Sequence, residues 1–509
     1  MPEQRLSAVM GVARGILLLL LAGLLIARRD FAHLNLGDFW PAAHSTPPRL
    51  LTYAFVTEIT LLALFPLALI RARECYRQAL GTTRREKILN AFGWGSCAVM
   101  GLMVWGAGHA LVALLRGGDG YLIARQSALA LYPLVYLYAL LFFGDSEKHV
   151  RVGVWASIAA ALLCALLDMF HLLDPKPVPN GDGLPIYGQE TLPIALLGLG
   201  LCAVAARTWT FRALAVAGVL FAAWRESARS LQSVVVLGLA GALVFALLAG
   251  VLVLHRGQRH TLKRLLLCQA LFCVLAAIGI PIKYSRTSAA QQGTETSGEI
   301  KGWKLGRYAE LMELYENTQA PADASARMIS LRPPYVPVSD PEVYKLQAVF
   351  KAEEGNVSIR NNIWRFLVWR RMAADWSDRH PVLGAGVGKP WFYPALYHSS
   401  FHYGEEREGL DPHNSYLNML YRYGAVGLAL FLAILIATLL GAVRALRLNS
   451  GDPLLEGLLL YFGYTLFFAF FTVSLEGPAY SLPFWMALGL IAARARQLLQ
   501  ERSDRPDNA

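Results

Sequence analysis

Charge is scarce in this sequence. Asp, Glu, Lys and Arg make up only 16% of its 509 residues, where soluble domains carry about a quarter. An ordinary soluble domain is excluded, because 55% of the chain is hydrophobic and the apolar residues fall in long blocks. Cysteine is sparse too. Cys75, Cys97, Cys164, Cys202, Cys268 and Cys273 all lie in or beside apolar segments, with no C-x-x-C spacing. The long polar stretch has none, which excludes a disulfide framework or a cysteine metal cluster there. Also missing are the D-x-D that holds a metal with a sugar nucleotide, H-E-x-x-H and G-x-S-x-G. No metal or other cofactor is expected. The net charge of +11 has no soluble basic face to sit on, so no nucleic-acid partner is expected. The excess of Lys and Arg reads instead as membrane topology.

What is present is a series of apolar blocks. A helix of about 20 apolar residues crosses a hydrocarbon core of roughly 30 Å. Twelve blocks qualify, at 10–27, 51–70, 88–115, 121–143, 150–172, 191–206, 211–225, 230–254, 264–283, 415–442, 456–475 and 480–497. The expectation is an all-α polytopic membrane protein of about twelve transmembrane helices in contact with membrane lipids. The first block lacks a small-residue cleavage site and more spans follow, so it reads as a span rather than a removed signal. The short block at 211–225 and its successor read as a hairpin with a tight outer turn.

The basic stretches are 71–87, 255–264, 444–447 and the tail with Arg494, Arg496, Arg502 and Arg505. With both termini inside, all face the cytoplasm, as the positive-inside rule requires. Arg28 and Arg29 fall on the opposite side. The division is then an N-terminal membrane domain at 1–283, a large loop at 284–412, C-terminal spans at 413–500 and a cytoplasmic tail at 501–509. The loop faces outward, which with no organelle signal means a bacterial periplasm. It contains helix-like segments at 307–318 and 358–376, joined through the Pro-rich "LRPPYVPVSDP". In the second, Ile359, Ile363, Phe366 and Leu367 alternate with arginines, the pattern of an amphipathic helix lying on a membrane surface.

The residues that can carry chemistry collect at the outer boundary. In "DPHNSYLNMLYRYGAVG", Asp411 suits an N-cap and Pro412 a first helical turn. A helix start is therefore expected at Asp411, with His413 in its first turn at the water boundary. His413 is a general-base candidate, because imidazole titrates near neutral pH. The bland alternative is a polar helix-start residue among headgroups. Gly424 and Gly427 share one helix face and read as small residues for helix packing. Asn414 is open between orienting His413 and binding a sugar hydroxyl.

Arg125, Arg225, Arg229 and Arg360 also belong to the outer face, against the topological bias. Each is a candidate for bidentate phosphate binding, with snorkelling as the alternative. "GAGVGKP" at 384–390 lacks the P-loop register, and Pro390 stands where that motif has Ser or Thr. Its glycines read as allowing close backbone approach, and Lys389 is a weaker anion contact. His398 and His402 are reserve bases beside Glu405 and Glu406. Glu58, His109 and Asp168 lie in or near spans and are functional candidates by default, with structural hydrogen bonding an equal alternative.

These motifs resemble those of the bacterial O-antigen ligases, within the O-antigen ligase and polymerase superfamily. "HNSYLNMLYRYGAVG" is similar to the family's His-Asn, nine residues, Gly-x-x-Gly. "RESARSLQS" resembles its Ser-Arg element, with Ala228 where the family has Ser. "SIRNNIWRFLVW" followed by "HPVLGAGVG" resembles its Arg-x-x-x-Trp and His-Pro-x-x-Gly-x-Gly element. The strong part covers about 358–427. The resemblance implies a metal-independent, inverting glycosyltransferase in lipopolysaccharide biosynthesis. Its donor would be a glycan on undecaprenyl pyrophosphate and its acceptor the lipid A–core oligosaccharide. It implies His413 as base and Arg229 and Arg360 on the pyrophosphate. Lys389 and Arg125 are weaker candidates for the same phosphates, and Asn414, Arg225 and His402 are candidates for support. An O-antigen polymerase or a protein-glycosylating ligase would share the donor. A transporter would instead need repeats and broken spans around a midplane site.

Overall fold

The structure is a computed structural model. It describes residues 3–26, 55–169, 305–319, 345, 348–349, 352, 357–388, 414–448, 452–469 and 475–503. The spans expected at 191–206, 211–225, 230–254 and 264–283 lie outside the described residues. Those residues are mostly helical and contain no β-strand. In chain order the helices are α1 (Glu3–Ile26), α2 (Val56–Gln78), α3 (Arg84–Leu115), α4 (Gly120–Leu131), α5 (Leu134–Phe143), α6 (Glu147–Met169), α7 (Leu305–Asn317), α8 (Val357–Arg379), α9 (Ser415–Leu448), α10 (Pro453–Phe468) and α11 (Pro478–Ser503).

Local sequence sets many of the ends. Thr83 and Glu86 form a reciprocal capping box at the start of α3, satisfying donors that the first turn leaves orphaned. Asp119 accepts from the Leu122 N–H at 2.9 Å and caps α4. Pro133 has no N–H to continue the ladder, and α4 and α5 meet there at 41°. The single straight span expected at 121–143 is therefore a bent pair. The basic stretch at 71–87 is likewise only partly a loop, because α2 continues through Gln78.

α5 is the centre of the bundle. All ten of its residues are buried. Its most extensive neighbour is α11, and α2, α3, α1 and α6 also contact it. Phe431, Phe484 and Trp485 fill the space between α9 and α11 with edge-on ring contacts. The outside is apolar as well. Along α9, Leu432, Ile436 and Leu440 are 42%, 55% and 64% exposed, a stripe at four-residue spacing. Met100, Val104 and Leu111 share one face of α3 and are 42%, 68% and 57% exposed. A soluble surface rarely carries such continuous stripes, whereas lipid accommodates them. Among the described residues three helices are long and apolar enough to cross a membrane, or four if the bent α4–α5 pair is one span.

Polar groups gather at the two ends of this apolar middle. At one end Arg494, only 6% exposed, bonds Asp452 at 2.6 Å and Glu147 at 3.1 Å. Arg496 donates to the Ala91 carbonyl nearby, and Arg14 to that of Phe142. At the other end lie Glu58, His109, Arg125, Gln126, Arg422 and Glu476. α9 measures the distance between them. Its 34 residues would reach roughly 50 Å if straight. Gly424, with φ +68°, breaks it in two. The uncharged run Ala425–Val443 that remains is about 28 Å long, close to a hydrocarbon core.

Beyond the break, α8 packs along the outer piece of α9. Val368 and Met372 of α8, Leu311 and Tyr315 of α7, Val349 and Tyr421 form a second, smaller core, with Leu417 against it. At Val368 and Met372 α8 therefore covers protein; the side chains of Ile359, Ile363 and Leu367, on the face expected at a membrane surface, lie outside the described residues. Phe366 points away and is 53% exposed.

Candidate functional site

The helix start differs from the expectation in a way that explains Asn414. α9 begins at Ser415 rather than at Asp411. The Asn414 side-chain oxygen accepts from the Leu417 N–H at 2.9 Å, and its carbonyl accepts from the Asn418 N–H at 3.0 Å. Asn414 is the N-cap. A short side-chain oxygen reaching the third helical N–H is what this position needs. His413 is thus one residue outside the cap rather than within the first turn.

That first turn is fixed from the far side by Glu476, which is buried. Ser415 Oγ donates to its Oε2 at 2.5 Å and Asn418 Nδ2 to its Oε1 at 3.0 Å. The Leu475 N–H reaches both the carboxylate and Ser415 Oγ at 3.1 Å. The Ser415 N–H in turn donates to the Ala469 carbonyl at 3.0 Å. The carboxylate sits beside the N-termini of α9 and α11, where negative charge is favoured. Sequence reading missed Glu476. Its one signal was a carboxylate at the boundary of an apolar block.

Nine residues into α9 the ladder is interrupted. The Ala425 and Val426 N–H groups donate to the carbonyls of Pro381 and Val382, at 3.1 and 3.3 Å. The Tyr421 and Arg422 carbonyls accept from the Ala385 and Gly386 N–H groups, at 2.7 and 3.0 Å. The segment after α8 thus enters the break and satisfies both sides of it. Trp105 Nε1 supplies the Tyr423 carbonyl at 3.0 Å. Only glycine fits at the crossing. A Cβ on Gly384 would collide with the backbone of Arg422 and Gly424, and one on Gly424 with Val382 and Gly384. Both have positive φ, +82° and +68°. The glycines of "GAGVG" do permit close backbone approach, and what they approach is α9. Gly427 keeps its expected packing role against Tyr423 and Trp105, whereas Gly424 is a break.

Side chains from the bundle hold this crossing. Gln126 Oε1 accepts from the Gly388 N–H at 2.8 Å, and Tyr423 Oη donates to the Gln126 carbonyl at 3.0 Å. The His109 ring stands edge-on to Trp105 and Tyr423, at 5.0 and 5.4 Å. Arg422 is buried, with Nη1 3.4 Å from the Gly386 carbonyl. Tyr421 Oη donates to Asp375 of α8 at 2.9 Å.

Arg125 is half-buried in α4, beside Gln126. Its guanidinium lies over the Phe55 ring at 5.2 Å and near enough to Glu58 for the charges to attract. Glu58 Oε1 accepts from Tyr132 Oη at 2.7 Å. Arg360 is on α8, eight residues and roughly 12 Å before Val368, and its side chain lies outside the described residues. His413, Arg229, Arg225, Lys389, His398 and His402 lie outside them as well. Asp168 is on the last turn of α6, with its side chain outside them. The structure therefore brings Asn414, Arg125, Glu58, His109 and the glycine segment to one end of the bundle, and places Arg360 and Asp168 by their helices alone. No protein-family model matches this chain, and no curated protein matches it.

Proposed function

We propose that this chain is a membrane glycosyltransferase of the O-antigen ligase type. It would move a glycan from undecaprenyl pyrophosphate to a hydroxyl of the lipid A–core oligosaccharide, at the periplasmic face of a bacterial inner membrane. The observation that carries the reading is the crossing of 381–386 with 421–426. The two motif elements of that family, 35 or more residues apart in the chain, meet as one unit at a polar end of the bundle.

In this reading His413, next to the Asn414 cap, removes the proton of the acceptor hydroxyl. The acceptor oxygen attacks the anomeric carbon opposite the pyrophosphate and inverts it. Arg229 and Arg360 stabilise the leaving phosphate, with Lys389 and Arg125 as weaker contacts. Positioned donors of this kind contribute about 3–4 kcal/mol each. The leaving group is already activated, so the step needs neither metal nor nucleotide.

The test is transfer with purified protein, donor and acceptor. His413→Ala is expected to abolish it in a folded protein, and near-normal turnover would overturn the base assignment. Arg229→Lys and Arg360→Lys are both expected to impair it, because a point charge does not replace a guanidinium fork. Replacing lipid A–core by a second lipid-linked glycan, or by an acceptor protein, separates the ligase from an O-antigen polymerase and a protein-glycosylating ligase. A transporter fits less well. Its broken helices surround the bilayer midplane, whereas the break at Gly424 stands at the end of the uncharged run.

A further inference from the structure

The turn at 380–384, between α8 and the crossing, presents two large apolar side chains away from the protein. Val382 is 56% and Leu383 58% exposed. Three observations bear on what covers them. First, the turn is bonded to α9 at the head of its exposed apolar stripe. The Ala425 and Val426 N–H groups donate to the Pro381 and Val382 carbonyls. From Ala425 the exposed face continues through Ala429, Leu432, Ile436 and Leu440. Second, exposed apolar surface also continues past the turn, on α3. His109 stands 3.6 Å from the point where a Gly386 Cβ would be. Leu111, Leu114 and Leu115 are exposed roughly 3–9 Å further along that helix. Third, polar backbone of the turn is taken up by protein. Pro381 has no N–H, and its carbonyl also accepts from Trp376 Nε1 at 3.1 Å. The Gly384 N–H donates to the His380 carbonyl at 3.1 Å. Non-helical backbone at membrane depth is tolerated where protein satisfies it in this way.

We propose that Val382 and Leu383 form a wedge that docks into the acyl chains of the leaflet at this end of the bundle. The partner is hydrocarbon rather than headgroup phosphate, because no residue of 381–388 carries a charge. Two exposed apolar side chains on a soluble surface are ordinary. Here they extend a lipid-facing stripe, and a continuous apolar surface of that kind is covered in the native state. The wedge sets the depth at which 381–386 crosses 421–426. The stretch at 284–412, expected from sequence to be an external loop, enters lipid at this point. The inference concerns where the turn lies. It holds for either orientation of the chain and does not depend on the transfer reaction proposed above.

The experiment uses the full-length protein in liposomes, with its six cysteines replaced by alanine. A nitroxide is attached at Val382→Cys or Leu383→Cys. Its collisions with O2, which concentrates in hydrocarbon, and with a water-soluble nickel chelate are measured by electron paramagnetic resonance. Ala429→Cys and Ile436→Cys are the references for lipid, and exposed Ser377→Cys is the reference for water. O2 collisions are expected to outweigh chelate collisions at both 382 and 383, in a ratio close to that at Ala429→Cys. Ser377→Cys is expected to show the reverse. A ratio like that of Ser377→Cys at either position overturns the proposal, because water then covers the turn. Few collisions with both reagents also overturn it, because another segment of this chain or a second copy then covers the turn. A reading at Ala429→Cys or Ile436→Cys unlike lipid overturns it as well, since continuity with that stripe carries the inference. Where the alanine background does not fold, a benzophenone amino acid replaces Leu383 in the otherwise unchanged chain and is photolysed in the liposomes. Attachment to lipid supports the wedge, and attachment to protein alone or to nothing overturns it.

Discussion

Ser415 and Glu476 are bonded at 2.5 Å across the junction between the start of α9 and the connection before α11. The pair fixes the first turn after His413 to a part of the chain some 60 residues downstream. Removing the carboxylate takes this acceptor from Ser415 Oγ and Asn418 Nδ2 and leaves the Leu475 N–H with Ser415 Oγ alone. Glu476→Ala is expected to cost about 2–4 kcal/mol. It should lower the apparent Tm in detergent and reduce transfer. Glu476→Gln keeps one acceptor oxygen and should sit between that variant and the wild type.

The Asn414 cap separates a structural from a chemical role for the residue. Asn414→Asp retains the capping oxygen and should leave stability unchanged. Asn414→Ala loses it and should cost about 1 kcal/mol, visible as faster amide exchange at Leu417. Transfer by the Asp variant at wild-type rates would confine Asn414 to capping. A loss of transfer there, with the cap intact, would give the amide group a part in binding.

The opposite end of the bundle carries its own prediction. Arg494 is buried and holds Asp452 and Glu147. Arg494→Met leaves Asp452 enclosed with its charge unpaired, a loss of about 3–5 kcal/mol. A double variant, Arg494→Met with Asp452→Leu, should recover part of that in thermal unfolding: Glu147 keeps Arg151 as a partner, so no enclosed charge is unpaired, while the cap of Asp452 on the Leu455 N–H is lost.

The proposed orientation is checked by thiol labelling. Leu80, between α2 and α3, is 83% exposed, and Ser377 is exposed on α8. In spheroplasts a membrane-impermeant maleimide is expected to label Ser377→Cys and to spare Leu80→Cys until the membrane is opened. The reverse pattern would invert the topology and remove the periplasmic site.

How much of this could be read from the sequence depended on what signal each feature leaves. The helices around Pro133 were legible as apolar blocks, and the bend lay in a proline that was read through as part of one span. The glycines of "GAGVG" announced close backbone approach. Their partner was invisible, because a contact made by backbone atoms has no side-chain signature in either segment. Gly424 was read as helix packing on its spacing to Gly427, a pattern that a broken helix shares with an intact one. Glu476 was illegible for a related reason: only the fold places a carboxylate of the α10–α11 connection against Ser415 and Asn418. The apolar face of α8 was visible as amphipathicity, but periodicity does not say whether lipid or protein covers it.

The enclosed position of α5 bears on how the chain is assembled. Ten apolar residues are too few to cross a bilayer alone, and α5 gains its broadest cover from α11, more than 330 residues later. During synthesis that segment lacks its α11 partner until the C-terminal helix is made. The bundle closes only when the last helix arrives. Contacts this distant in sequence form slowly. A partly made chain therefore offers the insertion machinery, and any quality-control protease, a recognisable unfinished surface at α5.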